Sequence, residues 1–212
     1  MIAAACQDGS IRVIAARAAV TAEDWQVVSS FRMGPGLVPT SLCWRPAGTE
    51  PRKLGPMLLV GTSSQAEVWS YSAASGAWRQ AAVLDGEAGS NMEERPSITS
   101  VAWAPLLARP CEWVFAAAGA SACIWKLHGT SHTLKATRWA SLPHSEEVHR
   151  ASFDMLGRAL GTSGLGWMYL WRPDLVGQWQ CVRRVKAGGS ADSDEYTEQD
   201  ANLQDSSSPG IS

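Results

Sequence analysis

The chain has few charged residues and no long apolar run. Charged side chains make up 18% of its 212 residues, below the ~25% usual for a globular domain. No segment approaches the ~20 consecutive apolar residues of a membrane-spanning helix. The basic cluster Arg183 to Lys186 fits a solvated strand end, because phosphate binding needs larger groups of Lys and Arg. The sequence therefore predicts no transmembrane segment and no direct nucleic-acid partner.

Redox and secretory motifs are also missing. The chain has five cysteines, an odd number, with no Cys-x-x-Cys pair and no Asn-x-Ser/Thr acceptor. Cys43, Cys123 and Cys181 each lie inside an apolar run, where a free thiol behaves as a small hydrophobe. These features favour a reducing compartment, the cytosol or the nucleus.

Catalytic and metal-binding patterns are weak. The segment Gly161 to Gly164 resembles part of a nucleophile elbow, but its second glycine is misplaced, so a strand end and a turn is the better interpretation. His128 and His132 are four residues apart, yet the sequence between them predicts a loop rather than a metal-binding helix. We expect His144 to make a structural hydrogen bond. The sequence thus predicts a non-enzymatic protein with no catalytic, cofactor-binding or metal-binding residues.

The charges are unevenly distributed along the chain. From residue 187 onward there are six acids and no base, whereas the preceding residues carry 18 bases and 14 acids. The segment 187–212 has almost no large apolar side chains and cannot offset its ordering entropy. We therefore predict a folded domain over 1–186 and an acidic, disordered tail over 187–212.

Tryptophan recurs in register. Nine of the 11 tryptophans fall into three columns that repeat every ~40 to 60 residues. The first column, which ends an apolar run before a turn, consists of Trp44 and Trp103, with Phe153 as the third copy. The second closes a strand-like run and consists of Trp69, Trp125 and Trp171. The third opens the following run and consists of Trp25, Trp78, Trp139 and Trp179. Self-similarity at this period indicates stacked repeats rather than one unique core.

Each repeat contains four short runs rich in Val, Ile, Leu and Trp and separated by Gly, Pro and Ser, a pattern typical of strands. Complete units are expected at 40–84, 98–142 and 148–185, and an incomplete unit of three strands at 1–31. The predicted fold class is all-β, a partial β-propeller of about three and three-quarter blades. Since a closed propeller needs four to eight blades, we expect an open ring and further blades encoded upstream.

The motifs also resemble a known family, the Seh-type nucleoporins, which are small WD-repeat propellers homologous to the COPII coat propeller. The likeness covers most of 1–186, and these residues resemble the C-terminal part of the family's propeller. It lies in Asp8 to Val13, Trp25-Gln26, Trp44-Arg45-Pro46, Val101 to Pro105, Ala108 to Pro110, and Leu170-Trp171 with Gly177 to Cys181. The chain departs from the family at Gly164 to Gly166, where a turn Asp is usual, and in its near absence of Gly-His and Trp-Asp dipeptides.

The resemblance implies a scaffold role. In the family, a six-bladed open propeller is completed by strands from an α-helical nucleoporin, and the pair joins the other nucleoporins of the Y-complex. That assembly coats the membrane at the nuclear pore and supports transport of protein and mRNA. The resemblance also implies membership of the GATOR/SEA signalling complex, at a cytoplasmic or lysosomal membrane surface. Two alternatives stay open: a COPII-type vesicle-coat propeller and a generic WD-repeat adaptor.

Two sets of residues follow from the blade assignment. The last blade has no successor, so we predict that Met168, Leu170 and Trp171 bind the partner's inserted strands. The predicted structural core consists of Trp44, Trp69, Trp103, Trp125 and Phe153. A propeller hydrolase would instead need an acid–base pair on the inner strands. The inner-strand positions offer no matched pair; they are Thr40, Ser41, Thr99, Ser100, His149 and Arg150.

Overall fold

Short β-strands build the whole described part of the chain. The computed structural model describes residues 1–16, 24–47, 55–84, 96–106, 111–129 and 133–188. These residues form four antiparallel sheets, in which every strand pairs with its neighbours in the chain. The described residues contain no α-helix. The architecture is therefore all-β, as the runs of Val, Ile, Leu and Trp between turn residues predict.

The four sheets follow one another along the sequence. Sheet 1 has three strands, β1 (Ile2–Ala5), β2 (Ser10–Ala16) and β3 (Trp25–Arg32). Sheet 2 has four, β4 (Pro39–Trp44), β5 (Met57–Thr62), β6 (Ala66–Ser72) and β7 (Ala77–Leu84). Sheet 3 has β8 (Ile98–Trp103), β9 (Glu112–Ala118), β10 (Ser121–His128) and β11 (Lys135–Pro143). Sheet 4 has β12 (Arg150–Phe153), β13 (Leu160–Ser163), β14 (Trp167–Pro173) and β15 (Trp179–Lys186). The predicted tail lies, from residue 189 on, outside the described residues.

A bulge at one fixed position proves that the sheets are copies of one unit. In each sheet the pairing of the two outermost strands shifts by one residue at the second tryptophan column. The extra residue lies on the outer strand, and the four copies are Val28, Ala81, Trp139 and Val182. A bulge bends its strand and increases the local twist. It also aligns the four sheets residue by residue. In this alignment Ile14 of sheet 1 occupies the position of the second-column tryptophan of the other three sheets.

Each sheet packs its face on the next sheet. One core of buried side chains joins sheets 1 and 2 around Ile11 and Leu58. A second core joins sheets 2 and 3 around Leu59 and Val114, and a third joins sheets 3 and 4 around Phe115 and Leu160. Among the described residues no such core joins sheet 4 back to sheet 1. The fold is therefore a partial WD-repeat β-propeller whose ring is open.

The aromatic residues predicted as core lie in or against these three cores. Trp103 and Trp125 are buried between sheets 2 and 3. Trp44 and Trp69 are half-buried and pack on the core between sheets 1 and 2. Phe153 is half-buried against the core between sheets 3 and 4. The first two tryptophan columns thus supply large apolar area between blades rather than a single central core, whereas Trp25 and Trp139 of the third column are exposed.

A buried ion pair ties sheet 2 to sheet 3. The Arg45 guanidinium donates two short bonds from Nε to the Glu112 carboxylate, at 2.9 and 3.0 Å, and Nη2 lies 2.9 Å from Oε1. The Trp103 indole donates a further bond to Glu112 Oε2 at 2.7 Å. Because both charged side chains are nearly buried, this geometry satisfies groups that would otherwise be costly to desolvate. The Trp-Arg-Pro motif after β4 therefore positions an inter-blade clamp.

His144 makes the structural hydrogen bonds expected from its place before an inner strand. Its Nδ1 lies 2.8 Å from the carbonyl of Leu142, so Nδ1 carries the proton and donates it. The Thr162 hydroxyl, 2.7 Å from Nε2, then donates to the ring and accepts from the Trp171 indole at 3.0 Å. This chain of bonds holds the loop before β12 against β13 and β14.

The Gly164 to Gly166 turn is supported by a distant glutamate. The Glu146 carboxylate accepts bonds from the backbone N–H of Gly166 and of Trp167, at 2.8 to 3.1 Å. Glu146, on the loop before β12, therefore makes the backbone hydrogen bonds that an aspartate within the turn would make. This contact explains how the turn is held although the usual aspartate is missing.

We expect Thr162→Val to destabilise the fold. The substitution keeps the side-chain shape but leaves His144 Nε2 and the Trp171 indole without their shared partner, which should cost about 1 to 3 kcal/mol. Chemical denaturation would measure the loss. The matched control is Ser163→Ala, one residue further along β13, which should change the free energy of unfolding by less than ~0.5 kcal/mol. Equal effects of the two changes would contradict the structural role of Thr162.

Stability should also fall on acidification through His144. Burial lowers the pKa of His144 from its usual value, although the bond to Leu142 and the nearby Glu146 oppose this effect. The unfolded chain therefore binds the proton at a higher pH than the folded chain does. The stabilisation is complete above pH ~6.5 and is lost as the pH falls below it. Denaturation midpoints between pH 7.5 and 5.5 should show a weaker pH dependence in His144→Asn, and identical slopes would contradict this assignment.

Candidate partner interface

One face of sheet 4 has the character of a blade interface but lacks a neighbour. The bulge makes Val13, Val68, Ile124 and Leu170 equivalent positions in sheets 1 to 4. The first three are buried, at 1%, 0% and 0% exposure, because each packs towards the following sheet. Leu170 is 39% exposed, since in the described residues no sheet follows sheet 4. Leu170 is thus an apolar side chain at a position that is buried in the other three sheets, and no described sheet covers it.

The predicted partner-binding residues divide between the two faces of β14. Side chains of a strand point alternately to opposite faces. Met168, 54% exposed, shares the uncovered face with Leu170. Trp171 is 3% exposed and packs with Tyr169 and His144 on the other face, towards sheet 3. The prediction for Trp171 therefore needs correction: this residue belongs to the core, and Met168 and Leu170 are the accessible pair.

Neighbouring strands complete this surface. Val185 lies directly opposite Met168, and Gly161 lies directly opposite Leu170. A side chain at Gly161 would meet open space apart from the Ser152 carbonyl, 3.9 Å away. The glycine therefore leaves a shallow hollow beside Leu170. The free face, as we name it, consists of Gly161, Met168, Leu170 and Val185 with the exposed Arg150, Arg172 and Arg183 around them.

The sequence reasoning missed most of this surface. In the sequence, Val185 and Arg183 are identified only as part of a solvated basic cluster, and they and Arg150 share a face with Met168 or Leu170 through cross-strand pairing. Period-two alternation in β14 was the signal that could have separated Trp171 from Met168 and Leu170. Cross-strand partners, in contrast, require the pairing register, which the sequence does not state.

Sheet 1 presents a second apolar wall. Ile2, Ile14 and Val27 lie directly opposite one another on its three strands. Ile2 and Val27 are exposed. The edge of β1 that faces away from β2 has no paired strand among the described residues. Both ends of the open ring thus offer apolar side chains, and sheet 1 also offers backbone groups for pairing.

Inner-strand hydroxyls serve contacts between sheets rather than catalysis. Thr40 donates to the Ile98 carbonyl at 2.6 Å, and Thr99 donates to the Val148 carbonyl at 2.5 Å. Each bond joins an inner strand to the next one along the ring. His149 occupies the equivalent place in sheet 4 and is exposed. His149 therefore places a side-chain donor at the position from which Thr40 and Thr99 bond the next sheet.

The weaker candidates from the sequence do not form a reactive centre. Gly161 to Gly164 is the end of β13 and its turn, and β14 follows rather than a helix. His128 ends β10, and His132 lies outside the described residues. No group of three or more His, Cys, Asp or Glu residues in the described ranges could hold a metal ion. A helix of the length and apolarity required to cross a bilayer is likewise absent from this part of the chain.

The open propeller has a curated relative. The chain is similar to a protein transport protein. That protein is SEC13 of Phaeosphaeria nodorum, which is 24% identical over 160 residues. The match includes 75% of this chain and 49% of SEC13, so the chain spans about half the length of this relative. No family model matches the chain. The likeness supports a relation to a protein transport protein, and the narrower assignment to Seh-type nucleoporins remains a proposal.

The difference between Leu170 and Ile124 can be tested without a partner. We expect Leu170→Asp to change the free energy of unfolding by less than ~1 kcal/mol, because its side chain is already 39% exposed and no described sheet covers it. Ile124→Asp, at the equivalent buried position, should cost more than ~4 kcal/mol through an unpaired buried charge. Urea denaturation of both variants checks this. A large loss in Leu170→Asp would show that the position is covered in the isolated chain.

Proposed function

We propose that the chain is a structural, non-enzymatic scaffold subunit of the nuclear pore outer ring, an open propeller completed by strands from an α-helical nucleoporin. The exposure of Leu170, at a position buried in the other three sheets, is the observation that carries this proposal. A blade face of this kind gains free energy when another sheet covers it, at roughly 25 cal/mol per Å² of apolar surface buried.

The free face indicates how the partner would bind. Strands inserted beside sheet 4 would cover Met168, Leu170 and Val185 with apolar side chains, and the hollow at Gly161 would admit a protruding one. Arg150, Arg172 and Arg183 favour acidic residues at the rim of the incoming sheet. His149 would bond a backbone carbonyl of the inserted inner strand, as Thr40 and Thr99 do within the ring. Backbone pairing and apolar pockets together are the usual basis of strand addition.

The nuclear pore assignment rests on the motifs that resemble Seh-type nucleoporins. On this proposal the chain acts in the Y-complex at the nuclear envelope, next to other nucleoporins of that complex. It would support transport of protein and mRNA by maintaining the coat rather than by binding cargo. A second role in the GATOR/SEA complex would use the same free face, because one surface would recognise related α-helical partners.

A COPII-type vesicle coat is the second candidate. The similarity to SEC13, a protein transport protein, favours it. Both candidates use an open propeller that a partner completes, so the geometry of the free face does not separate them. Location in the cell does: a tagged chain at the nuclear rim supports the pore, and one at ER exit sites supports the coat. A diffuse distribution would favour a generic WD-repeat adaptor.

Leu170→Asp should disrupt partner binding while the fold persists. The new carboxylate would be buried against an apolar sheet, which should reduce recovery of the α-helical partner about tenfold or more. Affinity purification of the tagged full-length protein followed by mass spectrometry measures this recovery. Met168→Asp, on the same face, should have the same effect.

The matched control is Leu175→Asp, which adds the same charge at an exposed leucine of the β14–β15 turn, away from the free face. This variant should retain the partner. Unimpaired recovery with both Leu170→Asp and Met168→Asp would refute the assignment of the free face. Recovery of vesicle-coat proteins in place of nucleoporins would refute the nuclear pore role and leave the interface standing.

A further inference from the structure

Two turns of sheet 4 display pairs of bulky apolar side chains to solvent. The β12–β13 turn carries Met155 and Leu156, and the β14–β15 turn carries Leu175 and Val176. Met155 and Val176 are 89% and 82% exposed, Leu175 is fully exposed and Leu156 is 49% exposed. We name the segments 154–158 and 174–178 the apolar tips. Single exposed apolar residues are ordinary, but four in two adjacent turns mark an interaction site.

The two tips are built in the same way. Asp154 Oδ1 accepts bonds from the backbone N–H of Arg158 and Ala159, at 2.6 and 3.0 Å. Asp174 Oδ1 accepts from the backbone N–H of Val176 and Gln178, at 2.9 and 2.8 Å. Each turn then closes through a glycine with positive φ. The tips are therefore tightly hydrogen-bonded turns that hold their apolar pairs outward, with the carboxylates directed at the backbone.

The tips project from the same end of sheet 4. In an antiparallel sheet, alternate turns lie at the same end, so the β12–β13 and β14–β15 turns are two strand spacings apart, or about 10 Å. Trp139 of sheet 3 flanks the second tip, because its indole donates to the Gly177 carbonyl at 3.2 Å. Trp139 is itself 42% exposed. One apolar, convex surface results, with an aromatic side chain at its border.

Cations surround this surface. Arg158 belongs to the first tip, and Arg172 lies on β14 just before the second; both are exposed. Lys126 lies over the Trp139 ring. The nearby carboxylates of Asp154 and Asp174 are occupied by backbone N–H groups. Apolar tips with a bordering tryptophan and basic residues match the composition of proteins that enter the interfacial region of a bilayer.

The comparable turn that the structure describes in sheet 2 lacks this combination. The β6–β7 turn of sheet 2, which occupies the same place as the second tip, carries Ala73 and Ala74 and also closes at a positive-φ glycine. Turn geometry therefore does not require Leu175 and Val176. At the opposite end of sheet 4, the β13–β14 turn carries a single exposed apolar residue, Leu165, near Met168 and Val185 of the free face. Among the described turns, pairs of exposed apolar side chains thus occur at one end of sheet 4.

From this placement we propose that the apolar tips insert into the interfacial region of an anionic lipid bilayer. A protruding pair of apolar turns suits a deformable lipid surface, whereas a protein partner would need a matching cavity. Side chains of this size reach the ~5 to 10 Å depth at which interfacial anchors bury their apolar groups. Arg158, Arg172 and Lys126 would contact acidic headgroups. The four apolar side chains of the tips lie beyond the free face, which shares Arg172 with this surface, so lipid contact does not require the proposed α-helical partner.

The test is co-sedimentation of the full-length chain with vesicles of phosphatidylcholine containing roughly 30% phosphatidylserine. We expect the chain to bind these vesicles, with weaker binding at high salt and to phosphatidylcholine alone. The double variant Leu175→Asp/Val176→Asp should reduce the apparent affinity about tenfold or more. Leu175→Ala/Val176→Ala, which copies the sheet 2 turn and preserves the fold, should also reduce it. Arg158→Gln with Arg172→Gln should remove the preference for acidic lipid.

Leu165→Asp is the matched control, with the same added charge at the opposite end of the sheet, and should bind vesicles as the unmodified chain does. An equal loss in Leu165→Asp, or no vesicle binding by the unmodified chain, would overturn the proposal. A loss confined to Leu170→Asp would show that the free face, not the tips, binds lipid. If the tip variants lose a co-purifying protein and the unmodified chain does not bind vesicles, the tips bind protein and the proposal is wrong.

Discussion

The packing of one sheet on the next is the constraint on which this molecule depends. A four-stranded sheet buries both faces only when it has a neighbour on each side, and three cores meet this requirement inside the ring. The Arg45–Glu112 clamp and the threonine hydroxyls reinforce the same boundaries. At sheet 4 the requirement is unmet, and this uncovered face is where we propose that a partner binds. No reactive group is needed for that role.

The sequence predicts the sheets because the second tryptophan column marks the strand that pairs with the bulged outer strand. Trp69, Trp125 and Trp171 each adjoin the register shift, so their recurrence reflects a repeated backbone feature. The sidedness of the last blade is harder to predict. A motif does not state to which face of the strand each of its residues points. The sequence therefore predicts Trp171 as a partner-binding residue together with Met168 and Leu170, although Trp171 points to the opposite face. Contacts such as Glu146 with Gly166 join separate loops and leave no local signal.

The inner strands show how similar hydroxyl patterns separate structure from catalysis. Thr40 and Thr99 are extra residues at bulges, and each donates a hydrogen bond to a backbone carbonyl at the start of the next inner strand or just before it. A hydroxyl engaged in this way lacks the partner base that nucleophilic catalysis needs. The geometry therefore gives these two hydroxyls a structural role, independent of any likeness to known proteins. At the same position in sheet 4 the chain has His149 instead of a threonine.

The three successive cores have a thermodynamic consequence. Units that contact only their neighbours behave as a linear array, whose stability is a sum of intrinsic and nearest-neighbour terms. Such an array has two ends that fray before its middle, so sheets 1 and 4 should exchange their amide hydrogens faster than sheets 2 and 3. Closure of the ring by further sheets would convert the array into a cycle without ends. Opening any one unit would then break two boundaries at once, and local fraying would become a cooperative event.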